Sequence, residues 1–191
     1  MKIKNIAIFA SYNGSGFDAI YEAISTNQLN ANISVVISNN TSAKVIKKAQ
    51  DRQIPNFIIN EKKYPNQNIN NIILNTLQKY ECDCIFLSGY MKKIDTILIH
   101  RYKIYNAHPS LLPKFGGKGM YGRFVHEAVI NSKETYSGVT IHNVTQDYDD
   151  GDIILQRSIK INNNETVESL EKRIKELEKV TIVEAFKYKI L

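Results

Sequence analysis

The chain has 191 residues, 43% of them apolar and 23% charged, a balance typical of globular rather than disordered proteins. No apolar run approaches the roughly 20 residues that span a bilayer, and the first residues lack the apolar core of a signal peptide. We therefore expect a cytoplasmic protein with no membrane partner, forming a single domain over residues 1–191.

The net charge of +6 favours anionic ligands or simply keeps the protein in solution. The basic residues are scattered along the chain, and pairs such as Lys47 and Lys48 are typical of solvated faces. No dense basic block carries interleaved aromatic side chains, so nucleic acid is not an expected partner.

The first half of the chain alternates between short apolar runs, typical of buried strands, and stretches in which apolar residues have helical spacing. This alternation predicts an α/β fold: a Rossmann-like, doubly wound and mostly parallel sheet. The predicted strands are Lys4–Ala10, Ile33–Ile37, Phe57–Ile59, Cys84–Leu87 and Ile104–Tyr105, and the predicted helices are Phe17–Asn27, one capped by Ser42 and running to about Arg52, Ile69–Tyr80 and Ile94–His100.

After Met120 the pattern changes. We expect a helix, then a pair of strands joined by an acidic turn over residues 146–152, and finally a long helix capped near Thr166 or Asn164. The helices are predicted over Gly122–Asn131 and Val167–Lys189, and the strands over Tyr136–Val144 and Ile153–Ile161.

Residues 105–114 (YNAHPSLLPK) follow the last parallel strand, at the sheet edge where open α/β folds bind ligands. The amide of Asn106 can donate to a developing oxyanion, and the imidazole of His108 can move a proton near neutral pH. Pro109 and Pro113 each fix one backbone angle. We therefore interpret this run as an active-site loop.

An acid–base histidine needs a further group that sets its charge state. The acidic turn holds Asp147, Asp149, Asp150 and Asp152, so a carboxylate from this turn can approach His108 and raise its pKa. A solvated acidic turn is the alternative. The turn superficially resembles a calcium loop but lacks the bidentate Glu at the required spacing, so calcium is not expected.

Residues 13–16 (NGSG) lie between a predicted strand and the start of a helix, where backbone N–H groups and the helix dipole favour a phosphate. Gly14 and Gly16 allow the backbone to approach a ligand closely. The spacing matches neither the dinucleotide fingerprint nor a P-loop, and a plain tight turn is the alternative.

Other residues that can carry chemistry have less specific patterns. His142 is interpreted as structural or as supporting the site from a strand, and His100 and His126 as surface residues of helices. The glycine-rich residues 116–122 suit a mobile rim over a site or a mere connector. Glu178, in the last helix, either accepts a substrate ammonium or is an exposed surface charge.

The two cysteines, Cys82 and Cys84, are too close along the chain for a disulfide. No second Cys or His pair is present to complete a metal site, so we expect reduced thiols and no bound metal.

Four segments together resemble the phosphoribosylglycinamide formyltransferases, folate-dependent enzymes of purine synthesis, over nearly the full length of the chain. These segments are residues 11–16 (SYNGSG), 87–91 (LSGYM), 106–114 (NAHPSLLPK), and 138–142 (GVTIH) continuing through Asp149 to Gln156.

The resemblance implies transfer of the formyl group of 10-formyltetrahydrofolate to the amine of glycinamide ribonucleotide, through a tetrahedral intermediate. Catalysis falls on Asn106, His108 and Asp149, with Asp149 tuning His108. The N-terminal half would bind the ribonucleotide and the C-terminal half the folate, in a monomer or weak homodimer without metal. The implied ribonucleotide contacts are Asn13, Gly14, Ser15, Gly16, Lys175 and Glu178, and the implied folate contacts are Met91, Lys92, Lys93, Ile94, Asn106, Thr145, Gln146, Asp147, Tyr148 and Asp149.

The chain departs from the family pattern at some binding positions. The family commonly has Gly at the position of Tyr12 and Asn at that of Gly16. The side chains available to hydrogen-bond a phosphate at these positions therefore differ from those of the family. Lys92 stands in place of a common Arg, which would weaken a bidentate grip on a folate carboxylate. An Arg often used before the third helix has no clear counterpart near Asn66.

Related activities remain as alternatives. Methionyl-tRNA formyltransferases carry an additional C-terminal domain and formyltetrahydrofolate deformylases an additional N-terminal one, neither of which we expect here. A sugar-nucleotide N-formyltransferase is disfavoured by the glycine loop. A non-catalytic nucleotide- or RNA-binding module would explain the charge and that loop, but would leave Asn106, His108 and Asp149 without a role.

Overall fold

Strands and helices alternate along residues 3–191, the part of the chain that the computed structural model describes. Their order is β1 (Lys4–Phe9), α1 (Ser15–Ser25), β2 (Ala31–Ser38), α2 (Lys44–Asp51), β3 (Asn56–Ile58), α3 (Ile69–Lys79), β4 (Cys84–Leu87), α4 (Thr96–Arg101), β5 (Lys103–His108), α5 (Arg123–Asn131), β6 (Tyr136–Asn143), β7 (Ile153–Lys160) and α6 (Val167–Ala185), followed by a π-helical turn, Phe186–Ile190. Within this range no helix is long and apolar enough to cross a bilayer.

The seven strands form a sheet in the order β3-β2-β1-β4-β5-β6-β7. Strand β1 pairs in parallel with β2 and β4, and β2 pairs in parallel with β3. The last two strands, β6 and β7, form an antiparallel pair. The predicted fold class, a mostly parallel doubly wound sheet with a C-terminal strand pair and a long final helix, is confirmed.

The first compact unit comprises the residues up to Tyr105 together with Leu191. Its core is apolar on both faces of the sheet, because the parallel strands are covered by helices and read as nearly continuous apolar runs. In β1, residues 6–9 are fully buried, and α1 adds Phe17 and Ile20.

The second compact unit comprises Asn106–Ile190. Its core joins one face of α5, the centre of β6 and the inner stripe of α6, represented by Val129, Ile141 and Ile174. The side chain of Thr166 accepts from the N–H of Ser169 and caps α6 as predicted. Whether residues 1–191 act as a single domain stays a prediction, since compactness alone does not measure independent folding.

Three predicted boundaries are wrong for identifiable reasons. Helix α2 begins without the predicted cap: Ala43 is its N-cap residue, and the N–H of Ser42 instead donates to Asn40. Strand β5 runs on to His108, because sheet pairing outweighs the low strand propensity of asparagine. The last α-helix ends at Ala185, where the chain widens into the π-helical turn, so the α-helix does not continue to the predicted Lys189.

Candidate active site

Asn106 and His108 lie at the C-terminal end of β5. They are two residues apart, so their side chains share one face of the strand. They therefore lie on the strand itself and not on the predicted loop. The side chain of His108 is only 4% exposed, and Asn106 is half-buried. Burial matters for both, because a hydrogen bond aimed at developing charge is stronger where water is excluded.

The loop after β5 is held by the buried hydroxyl of Thr140, which lies on β6. This hydroxyl donates to the carbonyl of Ser110 over 2.7 Å and accepts from the N–H of Leu112 over 3.1 Å. Gln156, on β7, donates to the same hydroxyl and to the carbonyl of Leu112. The loop backbone is thus fixed by β6 and β7.

Each ring nitrogen of His108 faces an acceptor. Its Nε2 lies 2.7 Å from the carbonyl oxygen of Phe115, and because a carbonyl only accepts, Nε2 carries a hydrogen. Its Nδ1 lies 3.4 Å from Oδ2 of Asp149. A second proton on this ring would therefore sit directly against a carboxylate.

Asp149 is held by the backbone of the glycine-rich segment. The N–H of Gly117 donates to Oδ2 over 2.9 Å. A Cβ at Gly116 would come within 2.5 Å of a Leu112 methyl and 3.2 Å of the Asp149 Cβ, so glycine permits this approach. The start of this segment is therefore bonded to the site, whereas the prediction treated residues 116–122 as a mobile rim or a connector.

His142 contacts two other polar members of the cluster, Asn106 and Asp149. It is 2% exposed, its Nε2 lies 3.2 Å from Nδ2 of Asn106 and 3.5 Å from Oδ1 of Asp149, and its Nδ1 lies 2.8 Å from the carbonyl of Asn143. The sequence left its role open between structural and site-supporting. Its position near the end of β6, just before the turn that carries Asp149, was the available signal.

The charge states follow from burial and from these contacts. Burial lowers the pKa of His108 and outweighs the opposing effects of the Asp149 charge and the Phe115 carbonyl. Burial alone would raise the pKa of Asp149, but bonding to His142, the His108 charge and the Gly117 N–H together hold this pKa below its usual value. The predicted upward effect of Asp149 on His108 is therefore present but smaller than the effect of burial. At neutral pH the free protein holds a neutral imidazole beside a carboxylate.

In the first unit, the glycine loop at residues 13–16 is built against neighbouring elements. Gly14 has a left-handed backbone (φ 67°), and its carbonyl accepts from the N–H of Asp18. The N–H of Gly16 donates to the hydroxyl of Ser88 over 2.9 Å, so this predicted phosphate donor already has a partner. The side chain of Lys48, on α2, donates to the carbonyl of Asn13 over 2.9 Å.

The two lysines of the Lys47–Lys48 pair differ in their surroundings. The Lys47 side chain is 74% exposed, as expected for a solvated face, whereas that of Lys48 is 28% exposed and pairs with Asp18. Asp18 also binds Arg52, at 2.9 Å. The interpretation as a solvated pair is therefore wrong for Lys48.

The predicted folate segments are largely at the surface of their own units. In the first unit Met91 is exposed and its N–H donates to Ser11, Lys92 and Lys93 are exposed, and Ile94 is buried. In the second unit the turn preceding Asp149 is exposed, namely Thr145, Gln146, Asp147 and Tyr148.

Helix α6 carries the two predicted contacts to the glycinamide end. Lys175 is exposed and pairs with Glu171 one turn away, and Glu178 is half-buried. The neighbouring helix α5 corrects a prediction: His126 is 3% exposed rather than on the surface, and burial lowers its pKa. Its helix buries Val125 and Val129 on the same side. His100 is exposed, as predicted.

Both cysteines are free thiols, as predicted, and burial raises the pKa of Cys84 to about 12. Across residues 3–191 no cluster of three or more His, Cys, Asp or Glu side chains has the arrangement of a metal site.

Comparison with known proteins identifies the family. Residues 4–186 match the family model described as formyl transferase. The chloroplastic phosphoribosylglycinamide formyltransferase of Vigna unguiculata is 38% identical over 90% of this chain. The matched part of the chain spans 56% of the length of that relative and 60% of the length of the Arabidopsis thaliana relative. The phosphoribosylglycinamide formyltransferase of Bacillus subtilis is 36% identical over 92% of this chain and 89% of its own length.

Solved structures agree. The crystal structure of phosphoribosylglycinamide formyltransferase from Bacillus halodurans has a TM-score of 0.87 and 30% identity, over 96% of this chain and 94% of that one. The resemblance predicted from residues 11–16, 87–91, 106–114 and 138–156 is confirmed. The chain belongs to the formyl transferase family.

Proposed function

We propose that this protein transfers the formyl group of 10-formyltetrahydrofolate to the amine of glycinamide ribonucleotide, giving formylglycinamide ribonucleotide in purine synthesis. The observation that carries the proposal is the cluster of Asn106, His108 and Asp149, with 3.4 Å between the imidazole and the carboxylate. The names of the relatives support the choice of acceptor.

The proposed reaction is an acyl transfer in which the amine attacks the formyl carbon. The formyl oxygen then becomes negative, and the carboxamide of Asn106 donates a hydrogen bond to it. Removal of one such donor typically lowers turnover by about 10²–10³-fold, which sets the size of the contribution expected from Asn106.

The attacking nitrogen must lose a proton and the folate nitrogen must gain one. His108 rests neutral because burial lowers its pKa, so it can accept the first proton, directly or through a water beside Asp149. Its Nε2 stays bonded to Phe115 while the new charge faces Asp149. The charged ring then helps to stabilise the negative oxygen before it returns the proton.

Substrate contacts complete the proposal. The ribonucleotide is assigned to Asn13, Gly14, Ser15, Gly16, Lys175 and Glu178, and the folate to residues 91–94, Asn106 and residues 145–149. The phosphate falls to the backbone of the glycine loop, whose carbonyl at Asn13 is occupied by Lys48 and so does not repel it. The enzyme is proposed to need no metal and to work in the cytoplasm as a monomer or weak homodimer.

A side-by-side comparison of acceptors tests this proposal. Purified protein is given the formyl donor with glycinamide ribonucleotide, methionyl-tRNA, an amino-sugar nucleotide, or no acceptor, and the release of deformylated folate is followed by absorbance. Among these reactions, turnover is expected only in the one that contains glycinamide ribonucleotide. Release without an acceptor would instead indicate a deformylase, and binding without turnover a non-catalytic module.

A further inference from the structure

The imidazole of His142 is in a defined tautomer. Its Nδ1 lies 2.8 Å from the carbonyl of Asn143, and a carbonyl only accepts, so Nδ1 carries the hydrogen. In the neutral ring Nε2 then has a lone pair and must accept. The group at 3.2 Å from this lone pair is the carboxamide of Asn106.

This contact decides which way the Asn106 amide faces. A carboxamide has one donor end and one acceptor end, and only the NH₂ end can bond to a lone pair. One N–H therefore points to His142, and the second N–H of the same group is left to face the reacting carbonyl. The reversed amide would put an oxygen against the lone pair of a 2%-exposed ring and leave a buried acceptor unpaired.

Nε2 of His142 also lies 3.5 Å from Oδ1 of Asp149. A proton on Nε2 would be drawn to that carboxylate and would remove the acceptor that holds Asn106. Oδ2 of Asp149 is used by Gly117 and His108. With the hydrogen on Nδ1 alone, the Nε2 lone pair accepts from Asn106 and makes no hydrogen bond to Asp149. A hydrogen bond from His142 to Asp149, which favours the carboxylate, forms only when Nε2 is protonated as well.

We propose that His142 is a positioning residue, which holds the carboxamide of Asn106 with an N–H directed at the formyl oxygen. Its effect on turnover rests on the proposed function, whereas the orientation of the amide does not.

Three substitutions separate this role from simple packing. His142→Gln puts an amide oxygen near the position of Nε2, His142→Asn reaches only the position of Nδ1, and His142→Leu offers no acceptor. The Leu and Asn variants are expected to lose turnover by about 10²-fold, as for a displaced oxyanion donor, with KM for both substrates little changed. His142→Gln should keep most of the rate, as should the exposed control His100→Gln.

Equal rates in the Gln and Asn variants would overturn the proposal, and this comparison between two polar residues stands even if the Leu variant does not fold. A second readout needs no turnover: the side-chain NH₂ signals of Asn106, assigned by NMR from their absence in Asn106→Asp. These signals should stay near their wild-type positions in His142→Gln and move in His142→Asn.

The two readouts separate failure of this inference from failure of the proposed function. Asn106 signals that are insensitive to every His142 substitution would overturn the inference, whatever the activity. If the wild-type protein formylates no amine but the signals respond as expected, the positioning role holds and the assigned reaction is wrong.

Discussion

Replacing Asp149 by Asn removes a charge and little else. Asp149 has a left-handed backbone (φ 56°), which asparagine adopts readily, and the amide oxygen can still accept from the N–H of Gly117. What is lost is the carboxylate 3.4 Å from Nδ1 of His108, on a side chain that is 11% exposed. An opposite charge at this distance typically shifts a pKa by about 1–3 units, so protonated His108 should become about 10–10³-fold less favourable.

Two measurements follow from Asp149→Asn. Turnover at neutral pH should fall by at least this factor, and the observed loss should lie within about 10²–10⁴-fold, the range typical of acid–base catalysis. The His108 ring, titrated by NMR, should have a pKa below its ordinary value in the wild type and lower still in the variant, because the charge that opposes burial is gone. A His108 pKa that rises or does not move, or turnover near that of the wild type, would refute this account of Asp149.

The remaining predictions concern the glycine loop, the loop after β5 and pH. Lys48→Met should weaken binding of ribose 5-phosphate by about tenfold in calorimetry through loss of one charge-assisted bond, and the exposed neighbour Lys47→Met should not; equal effects would contradict it. Thr140→Val should lower the free energy of unfolding in urea by about 1–3 kcal/mol, because it leaves buried partners unpaired; an unchanged midpoint would show that the hydroxyl is dispensable. Because burial lowers the pKa of His108, this ring binds a proton more readily in the unfolded chain than in the folded protein. The free energy of unfolding of the wild type should therefore fall as pH drops below about 6.5, and His108→Gln should reduce this dependence on pH. Parallel curves of unfolding free energy against pH for the two proteins would contradict this assignment.

Periodicity was sufficient for the fold. Strand β4 begins and ends at the predicted residues, and α3 and β6 each end one residue before the predicted residue. These elements could be predicted because the apolar residues of the helix lie on one buried face and those of the strands form buried runs. Boundaries set by a single cap or by sheet pairing could not be predicted as well. Ser42 has the chemistry of a cap, yet its backbone N–H donates to the side-chain oxygen of Asn40 and it lies before the helix. Pairing in the sheet extends β5 through Asn106 to His108.

The site shows the same division. Asn106 and His108 could be proposed because their chemistry stands together in the chain, and Asp149 because an acidic turn follows a strand pair. The contacts of His142 and Lys48 depend on which elements pack together, and no local pattern carries that information. His126 is similar: a histidine between helical apolar positions can face solvent or the core, and tertiary packing decides.

The claim on which the rest depends is that an amide, an imidazole and a carboxylate in the second compact unit act together in formyl transfer. The most direct test is the single-turnover rate of formyl transfer to glycinamide ribonucleotide by Asn106→Ala, His108→Ala, Asp149→Asn and the triple variant. Each single variant should be slower by about 10²–10⁴-fold with little loss of ribonucleotide binding, and the triple variant should be hardly slower than the slowest single one, as for residues that act as a unit. Rates near wild type in the single variants, or losses that multiply in the triple variant, would contradict the claim.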